Sequence, residues 1–185
     1  MKVFFKQFVC RYLTGLARVR LRRLRPFVIG VTGSVGKTST KDAVYTLLRS
    51  RYRVIRNEKS FNSEFGLPLA ILEQNSGFSS ALEWAVIMMK ATWKTFFGCK
   101  KLQMMVLEMG ADKPGDMTEL LHVVKPQIAV ITNIKPVHLG PGQFKDLDDI
   151  FLEKKKLVEA LPEKGWVILN ADDGYLLGLR GKMAC

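Results

Sequence analysis

The sequence predicts an α/β fold, a mostly parallel sheet with helices on both faces, preceded by a basic amphipathic N-terminal helix. Three observations predict it. Short apolar runs alternate with helical patterns along residues 27–169. The runs are continuous rather than alternating, which is how strands read when both faces of a sheet are covered. The first of them leads into a glycine-rich turn that opens into a helix, the junction at which phosphate-binding loops form. At 185 residues there is room for one domain with a short extension. Hydrophobic residues at 48% and charged residues at 25% exclude general disorder. No apolar run reaches the roughly 20 residues of a membrane-spanning helix, and Lys6 and Arg11 interrupt the stretch a secretory leader would need. Cys10, Cys99 and Cys185 are odd in number and far apart. A disulfide framework and a CxxC metal knuckle are therefore excluded, and a reducing, cytoplasmic location is expected.

The elements follow in order. Residues 1–26 hold eight of the basic residues behind the net charge of +12, and no acid. Phe5, Val9, Tyr12, Leu16 and Val19 recur there at helical spacing. The arm is expected to lie on anionic lipid, to meet a phosphate-rich partner, or simply to pack on the body. A peripheral membrane contact through residues 1–25, possible at an inner membrane surface, is kept open, and no nucleic-acid partner is expected. Pro26 ends the arm. Phe27–Val31 reads as a buried strand. The helix after it puts Ala43, Val44, Leu47 and Leu48 on one face. Tyr52–Ile55 reads as a second strand and Leu67–Leu72 as a short helix. Residues 80–97 form a helix apolar nearly all round, through Leu82, Ala85, Val86, Met89, Trp93, Phe96 and Phe97. Met104–Leu107 is a buried strand ending at Glu108. Asp116 caps a helix faced by Met117, Leu120, Leu121 and Val124 and stopped by Pro126. Ile128–Thr132 is a strand, 147–161 an amphipathic helix, and Trp166–Leu169 the last strand.

Parallel sheets bind ligands beyond the carboxyl ends of their strands, so the residues following each strand carry the chemistry. After the first come Thr32, Gly33, Ser34, Val35, Gly36, Lys37, Thr38 and Ser39. Glycines let backbone N–H groups turn toward phosphate oxygens, and the helix N-terminus adds its positive end. Lys37 reaches β- and γ-phosphates, and the Thr38 hydroxyl suits Mg²⁺. Val31 stands where the strict GxxxxGK[ST] pattern has its first glycine, so the loop is a GxxGKT variant. The expectation is a P-loop NTPase-like domain taking ATP, since no guanine-reading motif is present. Glu108, ending a buried strand beside that loop, is a candidate Mg²⁺ ligand. His138 follows the next strand end and is either a site residue or a satisfied surface group. His122, inside a helix, reads as structural. Lys154 falls in the middle of the apolar stripe set by Ile150, Leu157, Val158 and Leu161. An inward lysine loses hydration, which lowers its pKa and exposes an amine able to take up CO₂ as a carbamate. The alternative is a lysine snorkelling at a helix edge.

Taken together, VIGVTGSVGKTSTKD (28–42), FNSEFGLPLAIL (61–72), VLEMGADKPGDM (106–117), VITNIKPVHLG (130–140) and EKKKLVEALPEKGWVILNADD (153–173) resemble the Mur ligase family. These are the ATP-dependent amide-forming ligases of peptidoglycan synthesis. Within the family, LEMGA and NxxFGLP are most similar to the member that adds D-alanyl-D-alanine (D-Ala-D-Ala) to a UDP-N-acetylmuramoyl (UDP-MurNAc) tripeptide. The resemblance implies that ATP activates the peptide carboxylate as an acyl phosphate, which the incoming amine attacks. It implies a catalytic set of Lys37, Lys154 and His138. Thr38 and Glu108 would hold one Mg²⁺, and His138 with a carbamylated Lys154 would serve a second. Asn62 would be a substrate or metal contact, while Asn170 and Asp172 would be mainly structural. It divides the chain into an arm at 1–26 and an ATP-binding central domain at 27–185, incomplete at its C-terminus. The family's uridine-nucleotide domain has no counterpart, and ligation by these residues alone is not expected. The competing expectations are a P-loop ATP-binding module without ligase activity, and a P-loop kinase or GTPase.

Overall fold

The apolar run at residues 27–32 becomes the central strand of a parallel sheet. We describe the protein from a computed structural model covering residues 3–58, 63, 65–76, 81–98 and 102–179. The strands are β1 (Phe27–Thr32), β2 (Val54–Arg56), β3 (Met104–Glu108), β4 (Ile128–Ile131) and β5 (Trp166–Leu169), in the order β2-β3-β1-β4-β5. All neighbouring pairs are parallel, and the register sets Val31 opposite Glu108 and Thr32 opposite Ile131. The carboxyl ends of β1, β3 and β4 therefore finish at one rim. This is the expected P-loop NTPase-like α/β arrangement.

The helices are α1 (Val3–Leu24), α2 (Lys37–Leu48), α3 (Gly66–Leu72), α4 (Ala81–Phe97), α5 (Asp116–Val123), α6 (Leu147–Glu159) and α7 (Gly174–Leu177). One sheet face packs Ile29, Val31, Val106 and Val130 against Val44, Tyr45 and Leu48 of α2. The larger core on the other face joins α3, α5 and α6 to Met105, Leu107, Ala129 and Ile131. Outside that layer lies α1, which buries Val9, Leu13, Leu16 and Ala17.

Several expectations need correction in detail. The inward stripe of α1 is Val9-Leu13-Leu16-Ala17, with Tyr12 and Val19 on its flank, because α3 and α4 both pack beneath it. The apolar stripe expected to meet lipid is thus turned into the protein. Arg20 is buried in the same stripe and clamps Glu73, its Nη2 2.5 Å from Oε1, while Lys94 reaches the other oxygen at 3.1 Å. Burial raises the Glu73 pKa, but Lys94 and Arg20 outweigh it and hold the carboxyl below its ordinary range. In α2 the inward residues are Lys41, Val44, Tyr45 and Leu48, leaving Ala43 and Leu47 exposed; a polar partner for Lys41 rotates the helix. β2 starts at Val54, two residues later than expected, and ends at Arg56. Gly115, not Asp116, is the N-cap of α5. Asp116 instead accepts from the amides of Asp112 and Lys113, at 2.9 and 3.1 Å. The residues that made 80–97 look apolar all round are largely its exposed ones.

Candidate functional site

β1 ends at Thr32, a buried residue whose hydroxyl has no hydrogen-bond partner among the described residues. The chain then turns through Gly33, with φ 141°, and Gly36, with φ 85°, into α2. At Gly33 a Cβ would lie 2.0 Å from Thr132 Oγ1, so only glycine lets the turn approach the end of β4 so closely. The loop is pinned from there. The Thr132 hydroxyl donates to Val35 O at 2.6 Å, and Asn133 accepts from Val35 N at 2.9 Å. Ser34 N donates to Asn133 O at 2.9 Å, and the Ser34 hydroxyl bridges to the backbone of Lys135. Ser34 and Val35 thus spend their own amides on holding the loop's shape. Among the described residues, the N–H groups of Gly36, Lys37, Thr38 and Ser39 have no acceptor. They open the helix with its positive end unsatisfied.

Lys37 arches over this turn and donates to Ser34 O at 2.9 Å. Thr38 donates its hydroxyl to Glu108 Oε2 at 2.8 Å, joining the helix start to the end of β3. Glu108 is buried and strongly positioned. Asn57, directly after β2 and also buried, donates Nδ2 to Glu108 O at 2.9 Å and accepts from Glu108 N at 2.8 Å. Lys41, 1% exposed, donates to Asn57 O at 2.7 Å and lies 4.0 Å from Glu108 Oε2. Asn57 thus fixes the backbone of Glu108, and Lys41 lies beside the carboxylate that faces the loop's hydroxyl.

Lys154 is inward, as its helical phase requires, and 1% exposed. Its ammonium donates to Ala111 O at 3.3 Å, in the segment after β3. Burial, and then the nearby charge of Lys37, lower its pKa from 10.5 to about 8, against the opposing carboxylates of Asp112, Glu153 and Asp116. Beside it, Glu153 is buried too, accepting from Met117 N at 2.8 Å and pairing with Lys156 at 2.6 Å. His138 sits in a left-handed conformation, φ 55°, at the start of a loop closed by Phe144 N donating to His138 O at 3.0 Å. Its Nε2 is 3.3 Å from Asp112 Oδ1. Lys37, Lys154 and Asp112 thus form a chain of charges along the rim, with the His138 ring at its end. It borders a cavity of about 340 Å³ lined by Gly110, Asp112, Lys113, Asp116 and Gln143.

The structure brings Thr32–Ser39, Glu108, His138 and Lys154 to one rim. Asn62 lies outside the described residues. His122 is in α5, where its carbonyl accepts from Arg18 Nε at 2.6 Å. Asn170 accepts from Asp172 N at 3.0 Å, a local turn. Sequence reasoning missed Lys41, Asn57, Asn133, Glu153 and Asp173. Asp173 accepts from Ile134 N at 2.8 Å and caps α7, tying the β4 loop to that helix. Asn133 had a signal, its place directly after a strand end, whereas Asn57 had none.

The donor set fits Mg²⁺ held with a polyphosphate. Among the described residues no three His, Cys, Asp or Glu side chains converge as a metal cage. Mg²⁺ characteristically takes one or two protein oxygens and completes its shell with water and phosphate. Thr38 and Glu108, 2.8 Å apart, would fit as that pair, and the unsatisfied amides would fit as a phosphate cradle.

Comparison with known proteins agrees with this geometry. The Mur ligase middle domain family matches residues 31–185. The UDP-N-acetylmuramoyl-tripeptide--D-alanyl-D-alanine ligase of Mycobacterium leprae is 36% identical over 146 residues, 79% of this chain and 23% of that protein. Its namesake in Bacillus subtilis is 33% identical over 167 residues, 89% of this chain and 30% of that one. The MurF ligase of Thermotoga maritima, solved in complex with ADP, superposes with a TM-score of 0.72 at 30% identity, covering 94% of this chain and 34% of that structure. MurF from Acinetobacter baumannii gives a TM-score of 0.71 at 25% identity, covering 91% of this chain and 32% of that one. The chain thus spans between 23% and 34% of the length of these relatives. On its phosphate loop, its sheet order and these matches, the chain belongs to the Mur ligase family.

Proposed function

We propose that this chain is the ATP-binding core of an ATP-dependent acid–amino-acid ligase of peptidoglycan precursor synthesis. The reaction adds D-Ala-D-Ala to a UDP-MurNAc-tripeptide in the cytoplasm, through an acyl phosphate. The names of the relatives support the substrates, and the ADP complex of the Thermotoga maritima enzyme supports the nucleotide. ATP supplies the phosphoryl group that activates the carboxylate.

This chain's residues do the rest. The amides of Gly36 to Ser39, within the loop Thr32–Ser39, would grip phosphate oxygens, and Lys37 would neutralise the charge that develops on the transferred group. Thr38 and Glu108 would hold Mg²⁺, with Asn57 fixing the Glu108 backbone and Lys41 beside its carboxylate. Lys154 is assigned as a carbamate. Its neutral amine bonds to CO₂ carbon, the N–H proton leaves to solvent, and an anionic oxygen ligand replaces a cation. The burial that lowers its pKa raises the neutral fraction this step needs. With His138 that carbamate would serve a second Mg²⁺, letting a carboxylate approach a polyanion. Asn62 is assigned to substrate.

One observation carries the reading: the Thr38 hydroxyl meets Glu108 at 2.8 Å on the rim that also holds Lys37 and Lys154. Calorimetric titration with Mg-ATP tests it. Lys37→Ala abolishes binding on this account, and unchanged affinity would refute the loop assignment.

A further inference from the structure

α4 shows two different faces. Trp84 and Ala91 are buried on one. On the other, Leu82, Val86, Met89, Trp93 and Phe97 recur at intervals of three or four residues and are between 36% and 79% exposed. At about 1.5 Å per residue this stripe runs for roughly 22 Å. Trp93 and Phe97 touch, with ring centroids 4.5 Å apart. The stripe continues onto α1. The Tyr12 hydroxyl meets that of Thr92 at 2.6 Å, Phe8 stacks on Tyr12, and Arg23 lies over the ring of Phe96 at 6.0 Å. Soluble surfaces scatter apolar residues singly, and a contiguous strip of this length marks an interaction surface.

The neighbouring charge selects the partner. Arg11, Arg18 and Arg22 are exposed on α1, the first 26 residues carry no acid, and Lys90 is exposed on α4. Aromatic side chains beside a row of cations are the footprint of a helix lying in the boundary layer of an anionic bilayer. α4 does not span one: it has 17 residues, including Glu83, Lys90 and Lys94. Among the described residues no helix is long and apolar enough to cross. A second copy docked on this face would bring two acid-free α1 helices together, like charge against like.

We propose that the outer face of α4, with the exposed basic side of α1, docks on an anionic lipid surface. The proposal stands independently of the ligase reading, since no phosphate-loop residue takes part. The test is co-sedimentation of the complete chain with vesicles of phosphatidylcholine containing phosphatidylglycerol, against vesicles of phosphatidylcholine alone. The chain partitions onto the anionic vesicles, and salt weakens the binding. Trp93→Ser with Phe97→Ser lowers partitioning at least about tenfold by removing the two exposed aromatics that enter the lipid, with Mg-ATP binding unchanged. Arg11→Gln with Arg22→Gln lowers it about tenfold through lost surface attraction. In a Trp166→Phe background, where the remaining Trp84 is buried in the protein, lipids brominated in the acyl chain quench the exposed Trp93, a readout that leaves the patch intact. Failure to partition, partitioning unaffected by the α4 substitutions, or absence of quenching overturns the proposal. So does a soluble dimer that the α4 substitutions dissociate and that does not bind vesicles.

Discussion

Adding one methyl group at Gly33 perturbs the phosphate loop at its tightest point. Gly33 has φ 141°, where an L-residue costs about 1–2 kcal/mol. The new Cβ would sit 2.0 Å from Thr132 Oγ1 and 3.0 and 3.1 Å from the amide nitrogens of Thr132 and Asn133. The side chain must swing away, losing its 2.6 Å bond to Val35 O, worth about 1 kcal/mol. The sum is about 2–3 kcal/mol, which for a chain of this size lowers the melting temperature by roughly 4–12 °C. Thr132→Ala alone loses about 1 kcal/mol, the hydrogen bond. The double variant relieves the closest contact, so its cost falls short of the sum of the two singles by about 1 kcal/mol. Thermal unfolding followed by circular dichroism gives all three values, and Mg-ATP titration reports the loop itself. A Gly33→Ala protein that melts with the wild type, or strictly additive losses, would refute the argument that Thr132 sets the glycine.

Three further outcomes follow from the same geometry. Asn57→Leu removes both bonds to the Glu108 backbone in a buried site and costs about 2–4 kcal/mol in chemical denaturation; Mg-ATP affinity falls with it, and a loss below 1 kcal/mol (about half the smallest expected) would contradict the clamp. Without CO₂, and so with a free amine, Lys154 has a folded pKa of about 8 against 10.5, and the unfolded chain binds its proton more tightly. Below pH 8 the buried charge is a constant penalty, and as pH rises from 8 to 10.5 wild-type stability gains up to ~3 kcal/mol relative to Lys154→Met. Parallel stability curves for the two proteins over that range would rule this out. Glu73 has the opposite sign: its folded pKa lies below 4.5, so the Arg20–Glu73–Lys94 clamp contributes above that pH and is lost as pH falls through the folded value. Glu73→Gln therefore flattens the acid limb of the stability profile, and an unchanged limb would show that the clamp is energetically silent.

Much of the fold is legible in the residues because it depends on local pattern. The continuous apolar runs at 27–31, 104–107 and 128–132 become β1, β3 and β4, since strands buried on both faces cannot alternate. The phase of α6 places Lys154 inward from sequence alone, because Ile150, Leu157 and Val158 fix the stripe. What stays hidden is long-range. Asn57 matters only because β2 lies beside β3, a pairing no local pattern contains. α2 turns Ala43 and Leu47 outward because Lys41 finds Asn57 O and Glu108 in the interior, so a polar contact overrides the apolar count. α4 reads as apolar all round, yet which half is covered depends on where α1 and α3 pack.

The account rests on a phosphate loop and a carboxylate sharing one metal ion. Crystals grown with Mn²⁺ and a non-hydrolysable ATP analogue locate that ion by anomalous scattering. The expected peak lies within about 2.1–2.2 Å of Thr38 Oγ1, with Glu108 bound directly or through one water and the analogue's phosphates on the amides of residues 36–39. A metal and triphosphate bound away from Thr38 and Glu108 would contradict it.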